Sequence, residues 1–253
     1  MGSNLNILIV GGGMYVIGNG DKSYGTIMPS LLEARRKNKV GRLGIVTTKA
    51  TTAYSAIRRT SELATQMHIN GECDFFPEQG HDDRAYLEAI EKFKPDAVIV
   101  SVPDHLHFNV TSACLEKSLH SLVVKPLTPT IEEAQKLITL AKKNNVYGAV
   151  EFHKRWDRQN RILRDEYQNG KLGKPLYTWA EYSQRKSIPS RVFLPWVEKT
   201  NIFQYLGVHY IDIIRFVTGA IPVRVMATGQ KSWLKEQGLD VYDSIQGMVV
   251  WET

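Results

Sequence analysis

Residues 96–127, DAVIVSVPDHLHFNVTSACLEKSLHSLVVKPL, restrict the fold more than any other stretch of this chain. Ala97 to Val100 is apolar without alternation, and Leu122, Val123 and Val124 repeat the pattern. Such runs mark strands buried on both faces, the condition of a parallel sheet covered by helices. Parallel neighbours need a crossover, and a helix expected over 105–117 supplies it. Pro126 has no N–H to give to a ladder, so the second strand is expected to stop at an extended Lys125. A lysine is then placed at the C-terminal edge of the sheet, where open α/β folds bind ligands. Most lysines are solvated surface groups. The rest of the chain decides between that role and a catalytic amine.

The same alternation runs through the first 150 residues. Strands are expected at 6–10, 43–47, 73–77, 97–102, 121–125 and 146–150. Helices are expected at 26–38, 54–67, from Asp82 or Asp83 to Phe93, at 105–117 and at 130–144, the last opened by the capping box Thr130-x-x-Glu133. This order specifies an α/β fold with a doubly wound parallel sheet, a Rossmann domain over 1–150. After Glu151 the pattern changes. Helices are expected at 158–168 and 204–218, closed by Asn169-Gly170 and Gly219, and alternating strands at 176–185, 222–228 and 244–252. That is an α+β domain over 151–253 with an antiparallel or mixed sheet. Three strands are thin for an independent sheet, so the chain is expected to be C-terminally truncated or its sheet completed elsewhere.

The first strand runs into Gly11-Gly12-Gly13. In a dinucleotide fingerprint the first glycine makes the tight turn and the second lets the backbone approach a pyrophosphate. Val16 stands where the third is expected. The stretch 14–24, with Gly18, Gly20 and Asp21, reads as an inserted loop, after which Gly25 is available for the third role. Residues 41–61 contain no Asp or Glu to hold ribose hydroxyls. They offer Thr47, Thr48, Lys49, Arg58 and Arg59, groups suited to a 2′-phosphate, so NADP is expected over NAD. The plain alternative is the solvated start of a helix.

The formal charge is +6, from 32 Lys and Arg against 26 Asp and Glu. No dense basic run is interleaved with aromatics, which argues against nucleic acid. Cys73 and Cys114 lie far apart, with no metal spacing, and Cys114 is expected to be a buried thiol. Neither a signal peptide nor a long apolar run is visible, so no membrane role and a cytoplasmic location are expected.

Five short motifs, in order, resemble the Gfo/Idh/MocA oxidoreductases, the glucose–fructose oxidoreductase and inositol dehydrogenase family. They are SVPDHLH at 101–107, VKPL at 124–127, FHKRWD at 152–157, GKLGKP at 170–175 and GVHYID at 207–212. Val124 replaces the family's usual acid before the lysine. Tyr205 stands where the family often has Asp, four residues before the histidine. The resemblance implies hydride transfer between NADP or NAD and a secondary alcohol or a sugar or polyol hydroxyl. It also implies a homo-oligomer, dimer or tetramer, built on the second domain. Catalytic roles would fall to Lys125, polarising the reacting oxygen, to His209 as acid or base, and to Tyr205 as proton donor or pocket wall. Tyr205 and His209 share a helix face at spacing four, and Asp212 is placed to orient the imidazole.

Cofactor contacts are expected from Gly11, Gly13, Met14, Tyr15 and Gly25, from Thr47, Thr48 and Lys49, from Ser101, Val102, Pro103 and His107, and from Lys125. For His107 the plainer reading is a cap on the next helix. Substrate contacts are expected from Lys125, His153, Trp156, Tyr205 and His209, while Arg155 and Asp157 read equally as an ordinary ion pair. No metal is expected. A non-catalytic nucleotide-binding sensor or accessory protein of the same fold is the alternative. A methyltransferase, which can share a glycine-rich turn, and a nucleic-acid module fit less well.

Overall fold

The structure, a computed structural model, describes residues 4–18 and 23–252; Gly20 and Asp21 lie outside them. Six strands form one sheet: β1 (Leu5–Val10), β2 (Val40–Val46), β3 (Asp74–Phe76), β4 (Ala97–Val100), β5 (His120–Val124) and β6 (Gly148–Glu151). Their order is β3-β2-β1-β4-β5-β6, and the pairs β2–β3, β1–β2, β1–β4 and β4–β5 are parallel. This is the strand order of a dinucleotide-binding fold, with its reversal between β1 and β4.

The apolar runs resolve into two faces, because successive strand side chains point opposite ways. Ile7, Ile9, Leu43, Ile45 and Ile99 pack with α1 (Met14–Ile17), α2 (Ile27–Arg36) and α3 (Ala50–Gln66). Leu8, Val10, Val46, Val98, Val100 and Val123 pack with α4 (Ala85–Phe93) and α5 (His107–Glu116). A strand apolar on both faces can be satisfied only between two helical layers, which is why no alternation was needed. The last helix of this unit, α6 (Ile131–Lys143), is capped as its sequence specifies, with the Glu133 N–H donating to the Thr130 hydroxyl at 3.3 Å. Helix α4 begins at Ala85 rather than Asp82; the Asp82 carboxylate instead accepts from the Arg84 N–H at 2.8 Å.

The stretch after the glycine turn is not wholly a loop. Residues Met14–Ile17 form one helical turn, and Val16 and Ile17 are buried in the core. The chain leaves this turn at Gly18 and returns at Gly25, both at positive φ (81° and 73°). A Cβ on Gly25 would lie 2.7 Å from the Gly18 nitrogen and 2.8 Å from the Val16 carbonyl oxygen. Gly25 therefore permits a close approach to α1, not the helix–strand contact expected of a third fingerprint glycine.

Contacts divide the chain into two compact units, Met1–Val150 and Glu151–Thr253. The second holds α7 (Arg158–Gln168), α8 (Val208–Thr218), β7 (Ile221–Gln230), the single turn α9 (Trp233–Glu236) and β8 (Ser244–Glu252). Gly219 closes α8 in the left-handed conformation, as its sequence position indicates. A π-helical turn, Phe203–Gly207, precedes α8, so the expected helix from residue 204 is not regular at its start. Strands β7 and β8 pair antiparallel as a two-stranded sheet. The strand expected at 176–185 is absent: those residues pair with neither β7 nor β8. Alternation describes a surface to be buried, but without a partner backbone it makes no strand. Leu176 is 92% exposed and Trp179 81%.

Two outcomes follow from the first unit. Gly11 has φ 118°, and a Cβ there would meet the Ser101 carbonyl oxygen at 2.0 Å, whereas Gly13 has nothing within 4 Å. Gly11→Ala is expected to cost at least about 2 kcal/mol and Gly13→Ala no more than about 0.5 kcal/mol, as read by urea titration. Burial pushes the thiols of Cys73 and Cys114 up to about 12. Iodoacetamide at neutral pH should leave both intact in the folded chain and alkylate both in denaturant, as read by intact mass.

Candidate active site

Three backbone bonds continue the ladders past the strand ends. The Gly11 N–H donates to the Val46 carbonyl, Ser101 to Val10, and Thr47 to Phe76, at 2.8 to 2.9 Å. The segments after β1, β2 and β4 thus start level at one edge of the sheet. At the reversal between β1 and β4, Gly11 lies against Ser101 and Gly13 borders open space. Gly13 also caps α1. A dinucleotide needs bare backbone of this kind at the switch point, so the turn fits it. Met14 is exposed, whereas Tyr15 packs against the core behind the turn.

Beyond β2, the Thr47 hydroxyl donates to the Lys49 carbonyl at 2.8 Å. Thr48 and Lys49 are exposed, Lys49 at the N-cap of α3, whose first turn carries no acid. The two arginines expected to serve a phosphate are engaged elsewhere. Arg58 faces Glu62 at 3.8 Å. Arg59 donates to the Ile17 carbonyl at 3.1 Å and the Ser23 carbonyl at 2.9 Å, and lies over the Tyr24 ring. It ties α3 to both sides of the Gly18–Gly25 neck, a role that no local pattern in the sequence announces.

Beyond β4, Val102 packs on the core and Pro103 opens a 3-10 turn, Asp104–Leu106. His107 then begins α5 but neither caps it nor faces open solvent, being 1% exposed. Its Nδ1 lies 2.6 Å from the Pro126 carbonyl oxygen and its Nε2 2.9 Å from that of Val102. Both ring nitrogens, one of them expected to meet a cofactor, face backbone carbonyls. Lys125 follows β5 directly and is 7% exposed, so it is no solvated surface lysine.

In the second unit, His209 on α8 is 3% exposed, with the His153 ring edge-on at 4.7 Å and the Phe152 ring at 6.4 Å. His153 in turn has Nδ1 3.3 Å from the Glu151 carboxylate. Asp212 does not orient His209 through a free carboxylate as expected. Both of its oxygens accept from Arg155, Oδ2 from Nε at 2.7 Å and Oδ1 from a terminal nitrogen. Arg155 thus pairs with Asp212, not Asp157, and that hydrogen bond raises the guanidinium above its ordinary value. The Arg155 guanidinium also lies over the rings of Phe152 and Phe216, at 5.1 and 5.5 Å. Tyr205 lies in the π-helical turn, edge-on to Phe193 at 4.7 Å, so the four-residue spacing gives it neighbours different from those of His209. Trp156 is exposed and leans on Phe216 at 6.4 Å. Among the described residues no cluster of His, Cys, Asp or Glu is arranged for a metal ion. No described helix is long and apolar enough to cross a membrane.

Comparison with known proteins follows the two units. Residues 5–152 match the family model described as oxidoreductase family, NAD-binding Rossmann fold. Residues 160–252 match the GFO/IDH/MocA C-terminal domain. The chain is similar to 1,5-anhydro-D-fructose reductase of Ensifer adhaerens, 25% identical over 231 residues, covering 85% of this chain and 66% of that protein. It is similar to the NADP(+) scyllo-inositol 2-dehydrogenase of Bacillus subtilis (strain 168), 30% identical over 140 residues, 52% of this chain and 38% of that protein. An inositol dehydrogenase homolog from Azotobacter vinelandii, solved with NADH and myo-inositol, shares the fold at a TM-score of 0.73 and 20% identity, covering 99% of this chain and 62% of that one. The chain thus spans less than two thirds of the length of each of these relatives.

The Arg155–Asp212 pair joins the 153–156 turn to α8, the helix that carries His209. Asp212→Asn is expected to lower stability by about 1–3 kcal/mol, the usual loss for hydrogen bonds to a charged group, with Arg155 partly relieved by solvent. Thermal unfolding of this variant beside the parent checks it.

Proposed function

The chain belongs to the Gfo/Idh/MocA oxidoreductase family, and from that membership we propose that it is an NAD(P)-dependent dehydrogenase of sugar or polyol hydroxyls. The observation that carries this reading is within the first unit. A buried lysine follows β5 at the same sheet edge that carries the bare glycine turn, one strand beyond the β1–β4 reversal. When bound, the nicotinamide supplies or accepts the hydride. Everything else falls to the protein. Gly11 and Gly13 admit the pyrophosphate. The Lys125 ammonium donates a hydrogen bond to the reacting oxygen and stabilises alkoxide character as it develops. His209 takes or returns the hydroxyl proton, held by Phe152 and His153. The packing of Tyr205 against Phe193 supports a pocket-shaping role for it over proton donation.

The choice between NAD and NADP rests on the residues after β2. Relatives use both forms, as the NADP(+) in one name and the NADH in one structure's title indicate. With Arg59 engaged at the neck, the preference for NADP rests on Thr48 and Lys49, exposed at the start of α3. An acid-free first turn favours a phosphate there.

Fluorescence titration with NADPH and NADH, followed by a polyol and sugar screen, tests the proposal. NADPH should bind more tightly, and Lys49→Ala should weaken NADPH roughly 10-fold while leaving NADH nearly unchanged. Equal affinities in the parent would overturn the preference. Lys125→Ala should lower turnover by at least about 10²-fold with nucleotide affinity retained. Nucleotide binding with no turnover of any polyol by the parent would favour the sensor reading.

A further inference from the structure

The β4–β5 ladder ends at the pair Val100–Val123. Beyond it, the two chains run on to Val102 and to Lys125-Pro126 without further strand pairing. Pro126 has no N–H, so it cannot continue a ladder, and its carbonyl is buried with it. A buried carbonyl needs a donor. The ring of His107 provides one, standing between the two chains with a carbonyl oxygen at each nitrogen. With the proton on Nδ1, the ring donates to Pro126 across the shorter of its two carbonyl contacts. The residue it holds is joined by one peptide bond to Lys125.

We propose that His107 is the positioning residue for Lys125: its Nδ1–H bond to the Pro126 carbonyl fixes the backbone from which the amine projects. This rests on the reading of Lys125 as the group that polarises the substrate oxygen. His107 touches neither substrate nor cofactor in this role. It gives the buried Pro126 carbonyl a donor at a point where a loose backbone would move a catalytic amine. Misplacement by about 1 Å is enough to cost roughly 10²-fold in rate.

Three variants of the full chain separate the two contacts. The Asn side-chain amide reaches about as far as Nδ1, so His107→Asn keeps a donor for Pro126. The longer side chain in His107→Gln reaches towards Val102 instead. His107→Leu fills the space with no donor. The first readout needs no turnover: reductive methylation with formaldehyde and cyanoborohydride, mapped by mass spectrometry, with Lys125 normalised to exposed Lys37. Lys125 should label slowly in the parent and in His107→Asn, and several-fold faster in His107→Gln and His107→Leu. The second readout is kinetic. His107→Gln and His107→Leu should lose roughly 10²-fold in kcat with the KM for dinucleotide little changed, and His107→Asn should recover most of it. Parental labelling of Lys125 in a His107→Leu chain that keeps its thermal midpoint would overturn the proposal. Should His107→Leu fail to fold, equal labelling in the Asn and Gln variants would overturn it. Full turnover in Lys125→Ala would sink the role of the amine but leave the labelling contrast standing, so the two failures are distinguishable.

Discussion

Everything at the C-terminal edge of the sheet depends on how closely β1 can approach β4. The two strands are neighbours in the ladder but depart to opposite faces, so their ends must part at the same level. They can do so only because Gly11 brings no side chain against the Ser101 carbonyl and adopts a φ closed to other residues. A methyl there would push the strands apart and shift the level at which the segments after β1 and β4 begin. The turn, the 3-10 segment before α5 and the strand tip bearing Lys125 are arranged around that contact.

The first unit was largely legible because its signals are local. Uninterrupted apolar runs gave the strands, and the Thr130 box gave the start of α6. Their meaning does not depend on distant partners. The misreadings have the opposite character. The Arg155–Asp212 pair spans 57 positions, and nothing near either residue distinguishes it from Arg155 beside Asp157. Arg59 lies 42 residues from Ile17, whose carbonyl it satisfies, and in sequence it reads only as a positive charge after a strand. The segment 176–185 carries a strand's alternation, yet a strand is a relation between two backbones, and alternation describes only one. His107 was visible in its motif, but its use was not. That Pro126 ends the ladder is plain from the sequence, whereas which group meets its carbonyl requires coordinates.

Within each unit, charged groups have partners that the sequence did not announce. Of two arginines counted as available to a phosphate, Arg59 is committed to backbone carbonyls, while exposed Arg58 faces Glu62 at 3.8 Å. Asp212 is bound by Arg155, and His209 packs with the rings of His153 and Phe152.

The neck at Gly18 and Gly25 has a consequence for how such a chain can diverge. Departure and return are in van der Waals contact and are pinned from α3 by one guanidinium. Closing a longer loop between fixed ends costs little, since the entropy grows only with the logarithm of its length. Additions between Gly18 and Ser23 would therefore leave strand register and helix packing undisturbed. Beside the dinucleotide turn, the fold has a splice point where new sequence can be tried without renegotiating the core.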